Sequence, residues 1–126
     1  MSMPLVLIAD DNAQNLYLAR FLLEQKGYEV CEARNGEEAV AVSQAQAPVL
    51  ILMDIQMPGM DGLEATRRIK NGISAPIPLI VALTARAMSG DREIILAAGC
   101  DGYIEKPIDP GNFVARVENY LPEPLE

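Results

Sequence analysis

Residues 49–62 read VLILMDIQMPGMDG. Val49–Met53 is a continuous apolar run, the pattern of a parallel strand covered by helices on both faces. It runs straight into Asp54, and a loop containing Pro58, Gly59 and Gly62 follows. A buried strand that ends on a carboxylate either caps the next element or presents a reactive group.

The rest of the chain repeats this strand-then-helix rhythm. Leu5–Ala9 and Leu79–Leu83 are also continuous apolar runs, whereas Tyr28–Ala33 and Gly102–Glu105 mix in polar residues. Covered strands belong in the middle of a sheet and mixed ones at its edges. Placing the first, third and fourth strands centrally predicts the order 2-1-3-4-5, a flavodoxin-like (βα)5 doubly wound α/β fold.

Helix punctuation supports the same division. Asp11 or Asn12 can cap a first helix with Leu16, Ala19, Leu22 and Leu23 on its apolar stripe, and Gly27 can end it. Asn35 precedes Gly36-Glu37-Glu38, which places acids in the first turn of a second helix, and Pro48 follows its end. Asp61-Gly62 opens a third, closed near Asn71-Gly72. A fourth is expected from about Met88 to Ala98, with Gly99 as its C-terminal cap. Asp109-Pro110 is expected to cap and start the last, with Phe113, Val114, Val117 and Leu121 on one face. Residues 1–126 read as one domain, with 122–126 as a tail. No output domain follows the last helix, so the chain reads as a stand-alone domain or one cut from a longer protein.

Composition narrows the chemistry. The formal net charge is -8 and no basic patch is visible, which argues against direct nucleic-acid binding. No apolar run approaches the roughly 20 residues of a membrane helix, and no signal peptide opens the chain, so membrane insertion is not expected and a cytoplasmic location is. Cys31 and Cys100 have neither metal-ligand nor redox spacing and read as reduced thiols. There is no histidine, which removes Ser-His and Cys-His nucleophiles and imidazole zinc sites together.

In an open parallel sheet, ligands bind outside the carboxyl ends of the strands where the winding reverses. With order 2-1-3-4-5 that point lies between the first strand, ending in Asp10-Asp11, and the third, ending in Asp54. Two carboxylates about 4 Å apart repel by roughly 4 kcal/mol at an effective dielectric near 20. Such a cluster needs a shared proton or a cation, and a few hard oxygen ligands open to solvent suit Mg2+. The fourth strand adds Thr84 at the same end and the fifth adds Lys106-Pro107. A hydroxyl and an ammonium facing these acids can bind a phosphoryl group while a carboxylate acts as nucleophile. Each residue alone has a plainer reading, Asp11 as a helix cap, Asp54 as a loop acid, Thr84 as a turn residue and Lys106 as a surface lysine. Their convergence favours a phosphorylated Asp54.

Four segments, LIADDN, LILMDIQMPGMDG, IVALTA and GYIEKP, resemble the receiver domain of two-component response regulators, and the resemblance covers essentially the whole chain. It implies that Asp54 is the phosphoacceptor. Asp11 would bind Mg2+ directly and Asp10 through water, joined by an Asp54 oxygen and the backbone carbonyl of Gln56. Thr84 would contact the phosphoryl group, Lys106 would pair with it, and Tyr103 would be an aromatic switch residue. The Lys106-Pro107 peptide would often be cis. Gln56 and Arg86 fall where the family tunes dephosphorylation. Implied partners are a histidine kinase or histidine phosphotransfer protein, and a downstream protein or output domain bound through the fourth helix, fifth strand and fifth helix.

Two other classes compete. An aspartyl-phosphate phosphohydrolase would use the same acids and lysine, but usually wants a second acid two residues after the nucleophile, where Gln56 stands. A flavodoxin-like cofactor carrier would need a hydroxyl- and glycine-rich phosphate loop after the first strand, where ADDNAQN places two negative charges instead.

Overall fold

The computed structural model describes residues 4–72, 77–85 and 89–121. Among these, the strands are β1 (Leu5–Ala9), β2 (Glu29–Ala33), β3 (Leu50–Asp54), β4 (Leu79–Thr84) and β5 (Gly102–Glu105). They alternate with helices α1 (Ala13–Lys26), α2 (Gly36–Gln46), α3 (Gly62–Lys70), α4 (Ser89–Ala97) and α5 (Phe113–Glu118). The strands form one parallel sheet in the order β2-β1-β3-β4-β5, as the apolar patterning predicts. β3 is buried at every position, whereas the edge strand β2 buries only Ala33.

Side chains alternate across the sheet and separate two cores. Val6, Ile8, Leu50, Leu52, Val81 and Leu83 face α1 and α5, packing with Leu16, Leu23, Phe113 and Val117. Leu7, Ala9, Ile51, Met53, Ile80 and Ala82 belong to the other core, with Ala39 of α2, Ala65 and Ile69 of α3 and Ile95 of α4. Burying one such aliphatic side chain contributes about 1.5–3 kcal/mol, so both layers are held chiefly by this sandwich.

Two strands reach one residue further than the apolar runs do. β3 continues through Asp54 and β4 through Thr84, because the parallel ladder persists to Asp54 opposite Leu83 and Thr84 opposite Glu105. Val49 and Tyr28 fall just outside their strands. Tyr28 instead buries its ring and donates its hydroxyl to Glu118 Oε2 at 2.7 Å, tying the start of β2 to α5.

Caps decide the helix starts. Asn12, rather than Asp11, caps α1 by accepting from the Asn15 N–H, while Asn35 and Asp61 cap α2 and α3 in the same way. The expected start of the last helix at Asp109-Pro110 needs correction. Asp109 closes a separate turn, its side chain accepting from the Gly111 N–H at 2.9 Å, and α5 begins at Phe113. That local side-chain bond offers the backbone an alternative to helix at this point. Leu121 lies beyond α5 but is still buried. Met88, Arg86 and the tail at 122–126 lie outside the described residues.

Candidate functional site

β1, β3 and β4 run parallel, so their carboxyl ends open at one edge of the sheet. Asp10, directly after β1, is fully buried, and Asp54, the last residue of β3, is 5% exposed. Asp11 beside them is exposed. A carboxylate oxygen from each of the three lies within 4.8 Å of the others. The topology therefore brings together acids that are 43 to 44 positions apart in the chain.

The loop after β3 answers the question posed by its composition. Gly62, the first residue of α3, sits against the backbone of Asp54, and a Cβ there would fall 2.1 Å from the Asp54 carbonyl oxygen. Its N–H donates to the Ile55 carbonyl at 3.0 Å. Gly36 at the start of α2 meets the Met60 carbonyl as closely, 2.2 Å from a built Cβ. The glycines let two helix starts clamp the loop, and with it the acceptor end of β3. Gly59 adopts φ +72°, a conformation that L side chains rarely adopt.

Lys106 follows β5 and reaches across the sheet edge, its Nζ 2.9 Å from Asp10 Oδ2 and 3.3 Å from Asp54 Oδ2. The Lys106–Pro107 peptide is cis. The other carboxylate oxygens are held by backbone, the Asn12 N–H donating to Asp10 Oδ1 at 2.9 Å and the Gln56 N–H to Asp54 Oδ1 at 3.1 Å. Burial pushes the Asp54 carboxyl up to about 6, and the Asp10 charge adds to this, while Lys106 and the Gln56 N–H pull against it. Burial alone would lower Lys106, yet the Asp10 and Asp54 carboxylates outweigh it and hold that ammonium above the ordinary lysine value.

Whether these residues fit a divalent cation turns on Asp10. Its Oδ2 is buried, touches the Lys106 ammonium as an ion pair and makes no aligned hydrogen bond. Three carboxylates with oxygens within 4.8 Å of one another and one ammonium shared between two of them suit a hard cation with few protein ligands. The donor set fits Mg2+.

These groups open into a cleft of about 730 Å³. Asp11, Asp54, Gln56, Thr84 and Lys106 all line it, so the structure gathers most of the residues singled out in the sequence. Thr84 is buried at the end of β4 and its carbonyl accepts from the Lys106 N–H at 2.7 Å. Tyr103 is not among the lining residues. It sits half-buried on β5, with the Arg92 guanidinium 5.7 Å from its ring centroid and its carbonyl accepting from the Tyr120 hydroxyl at 3.2 Å. The expected tuning position Arg86 lies outside the described residues. Sequence reasoning missed Asn15, Asp91 and Ile94, which also line the cleft. Asp91 reads in sequence only as a first-turn helix acid, and nothing local points it at the site.

Comparison with known proteins agrees with this arrangement. A family model for the response regulator receiver domain matches residues 6–118. The polar-differentiation response regulator DivK of Brucella anthropi is 43% identical over 116 residues, covering 92% of this chain and 94% of that relative. The receiver domain of the sensor histidine kinase PA1611 from Pseudomonas aeruginosa, solved with a magnesium ion coordinated in its active-site cleft, is 33% identical. It superposes with a TM-score of 0.84 over 94% of this chain and 98% of that one. The receiver domain of Ssk1 from Saccharomyces cerevisiae, solved with the histidine phosphotransfer protein Ypd1, is 29% identical with a TM-score of 0.86. That match covers 94% of this chain and 88% of the other.

Proposed function

This chain belongs to the response regulator receiver family, and from that premise we propose that it is a phosphoryl-accepting switch with Asp54 as its acceptor. The observation that carries the reading is a carboxylate delivered to the mouth of a cleft by a buried strand, beside a paired lysine and two further acids. Burial and the neighbouring Asp10 charge raise the Asp54 carboxyl, and a cation held by the cluster would favour its ionised, nucleophilic form.

The donor is a phosphohistidine on a histidine kinase or histidine phosphotransfer protein, since this chain has no histidine of its own. An Asp54 carboxylate oxygen bonds to phosphorus, the P–N bond breaks, and its electron pair returns to the imidazole nitrogen. Lys106 and the Thr84 hydroxyl then bind the phosphoryl oxygens, Lys106 turning away from Asp10 to do so. Asp10, Asp11, Asp54 and the Gln56 carbonyl would hold Mg2+. The bound ion supplies positive charge against the transferring group.

Motion of Thr84 and Lys106 reaches Tyr103 through β4 and β5, so the α4, β5 and α5 surface binds or releases a downstream protein or output domain in one state. Couplings of this kind are typically about 1–3 kcal/mol. Gln56 and Arg86 tune how long the phosphoryl group persists. The domain spans 1–126 with a tail from 122, acts in the cytoplasm, and turns over nothing but its own phosphorylation. Among the described residues no helix is long and apolar enough to cross a membrane.

Intact mass after incubation with acetyl phosphate tests the acceptor. A Mg2+-dependent phosphoryl adduct is expected in the wild type and absent from Asp54→Asn. Absence of both the adduct and beryllofluoride binding in the wild type would sink the proposal.

A further inference from the structure

The cleft around Asp54 is strongly biased in charge. Asp11, Asp54 and Asp91 line it, and Lys106 is its only cationic lining residue among those described. That ammonium is already engaged by Asp10 and Asp54. On the α1 side the wall offers the neutral Asn12 and Asn15, so the acid that a donor meets away from the acceptor cluster is Asp91 of α4. A first-turn acid suits the helix macrodipole, which accounts for Asp91 on α4 but not for its place in the cleft wall. Ile94 and Ile95 of the same helix also line this wall and bring no charge to offset it.

From this juxtaposition we infer that Asp91 is a specificity-determining residue for the phosphodonor, selecting N-phosphoryl donors of low net charge against dianionic acyl phosphates. The inference rests on Asp54 being the acceptor. Near neutral pH phosphoramidate is a zwitterion of single net negative charge, and its nitrogen carries the positive charge outward. Acetyl phosphate is a dianion. In both transfers an Asp54 oxygen bonds to phosphorus. With phosphoramidate the P–N bond breaks and the electron pair leaves on ammonia. With acetyl phosphate the P–O bond breaks and the pair leaves on acetate. Asp91 therefore repels the acyl donor about twice as strongly, and the outward positive charge of the N-phosphoryl donor offsets part of what remains.

The test is the second-order rate of adduct formation with each donor, with saturating Mg2+, for the wild type, Asp91→Asn and Asp91→Glu. At low ionic strength Asp91→Asn should gain about threefold with acetyl phosphate and less than about twofold with phosphoramidate. Asp91→Glu should behave as wild type, and the gain should shrink as salt approaches about 1 M. Equal changes with both donors, or none, would overturn the role of Asp91 while leaving Asp54 as acceptor. Failure of both donors and of beryllofluoride to react with the wild type would overturn the acceptor and this inference with it.

Discussion

The Lys106 ammonium lies closer to Asp10, at 2.9 Å, than to Asp54, at 3.3 Å. Before phosphorylation the lysine is thus held mainly by the acid that is not the acceptor. Asp54 keeps two acids as neighbours and shares a single cation with one of them. Burial first, and the Asp10 charge after it, make the acceptor costly to ionise, which sets up the next two predictions.

Asp54→Asn should make the Mg2+-free protein more stable near pH 7.5, by about 1–3 kcal/mol. The sign follows from linkage. The folded-state value of about 6 stands above the ordinary carboxylate value. Folded protein therefore holds the proton longer than unfolded chain. Below about pH 4 both states are protonated and the variant gains nothing. As pH rises from about 4 through 6, wild-type stability falls relative to the variant, and above that the gap is constant. Urea midpoints at pH 4, 5, 6 and 7.5 measure it, and a gap that shrinks with rising pH would contradict the assignment.

Millimolar Mg2+ should raise the wild-type melting temperature and do so progressively with concentration, because the ion binds only the folded cluster. Asp10→Asn and Asp11→Asn should each abolish most of that rise while folding normally. Thermal unfolding monitored by circular dichroism, with NaCl at matched ionic strength as the control for plain screening, is the measurement. An equal rise in all three proteins would place the ion elsewhere.

Gly62→Ala should cost about 1–3 kcal/mol or more and slow phosphorylation as well. The new methyl would meet the Asp54 carbonyl oxygen at 2.1 Å, so either the start of α3 or the end of β3 must shift. Denaturant unfolding together with the rate of adduct formation separates this from a helix-propensity effect, which would favour alanine. An unchanged rate in a destabilised variant would mean that α3 yields and Asp54 stays.

Ala47→Gly should stabilise the protein by about 1 kcal/mol. Ala47 caps α2 in the left-handed region, with φ 49°, and its N–H donates to the Ser43 carbonyl at 3.0 Å. A Cβ is unfavourable there and glycine removes it. Thermal unfolding at fixed pH reads the difference, and a loss of stability would show that the side chain contributes packing that outweighs the strain.

Much of this protein is written in local sequence. The continuous runs Leu5–Ala9 and Leu79–Leu83 and the mixed run Gly102–Glu105 identify central and edge strands, because burial on both faces requires apolar residues at every position. The caps Asn35 and Asp61 and the glycines Gly27 and Gly99 mark helix ends, because orphan backbone groups there need those residue types. From strand order alone, Asp10, Asp11 and Asp54 could be placed at one sheet edge. The last helix escaped this logic, since Asp109 can serve a turn or a cap equally well and only the surrounding packing chooses.

What the tertiary structure alone decided is which groups touch. That Lys106 leans on Asp10, that Gly62 rests on the Asp54 carbonyl, that Arg92 covers Tyr103 and that Asp91 walls the cleft are contacts between residues brought together by the sheet, with no local pattern to announce them. Sequence determines periodicity, caps and turns because these depend on neighbours along the chain. Distances across the sheet edge depend on how five strands twist and stack, and those come only from the whole fold.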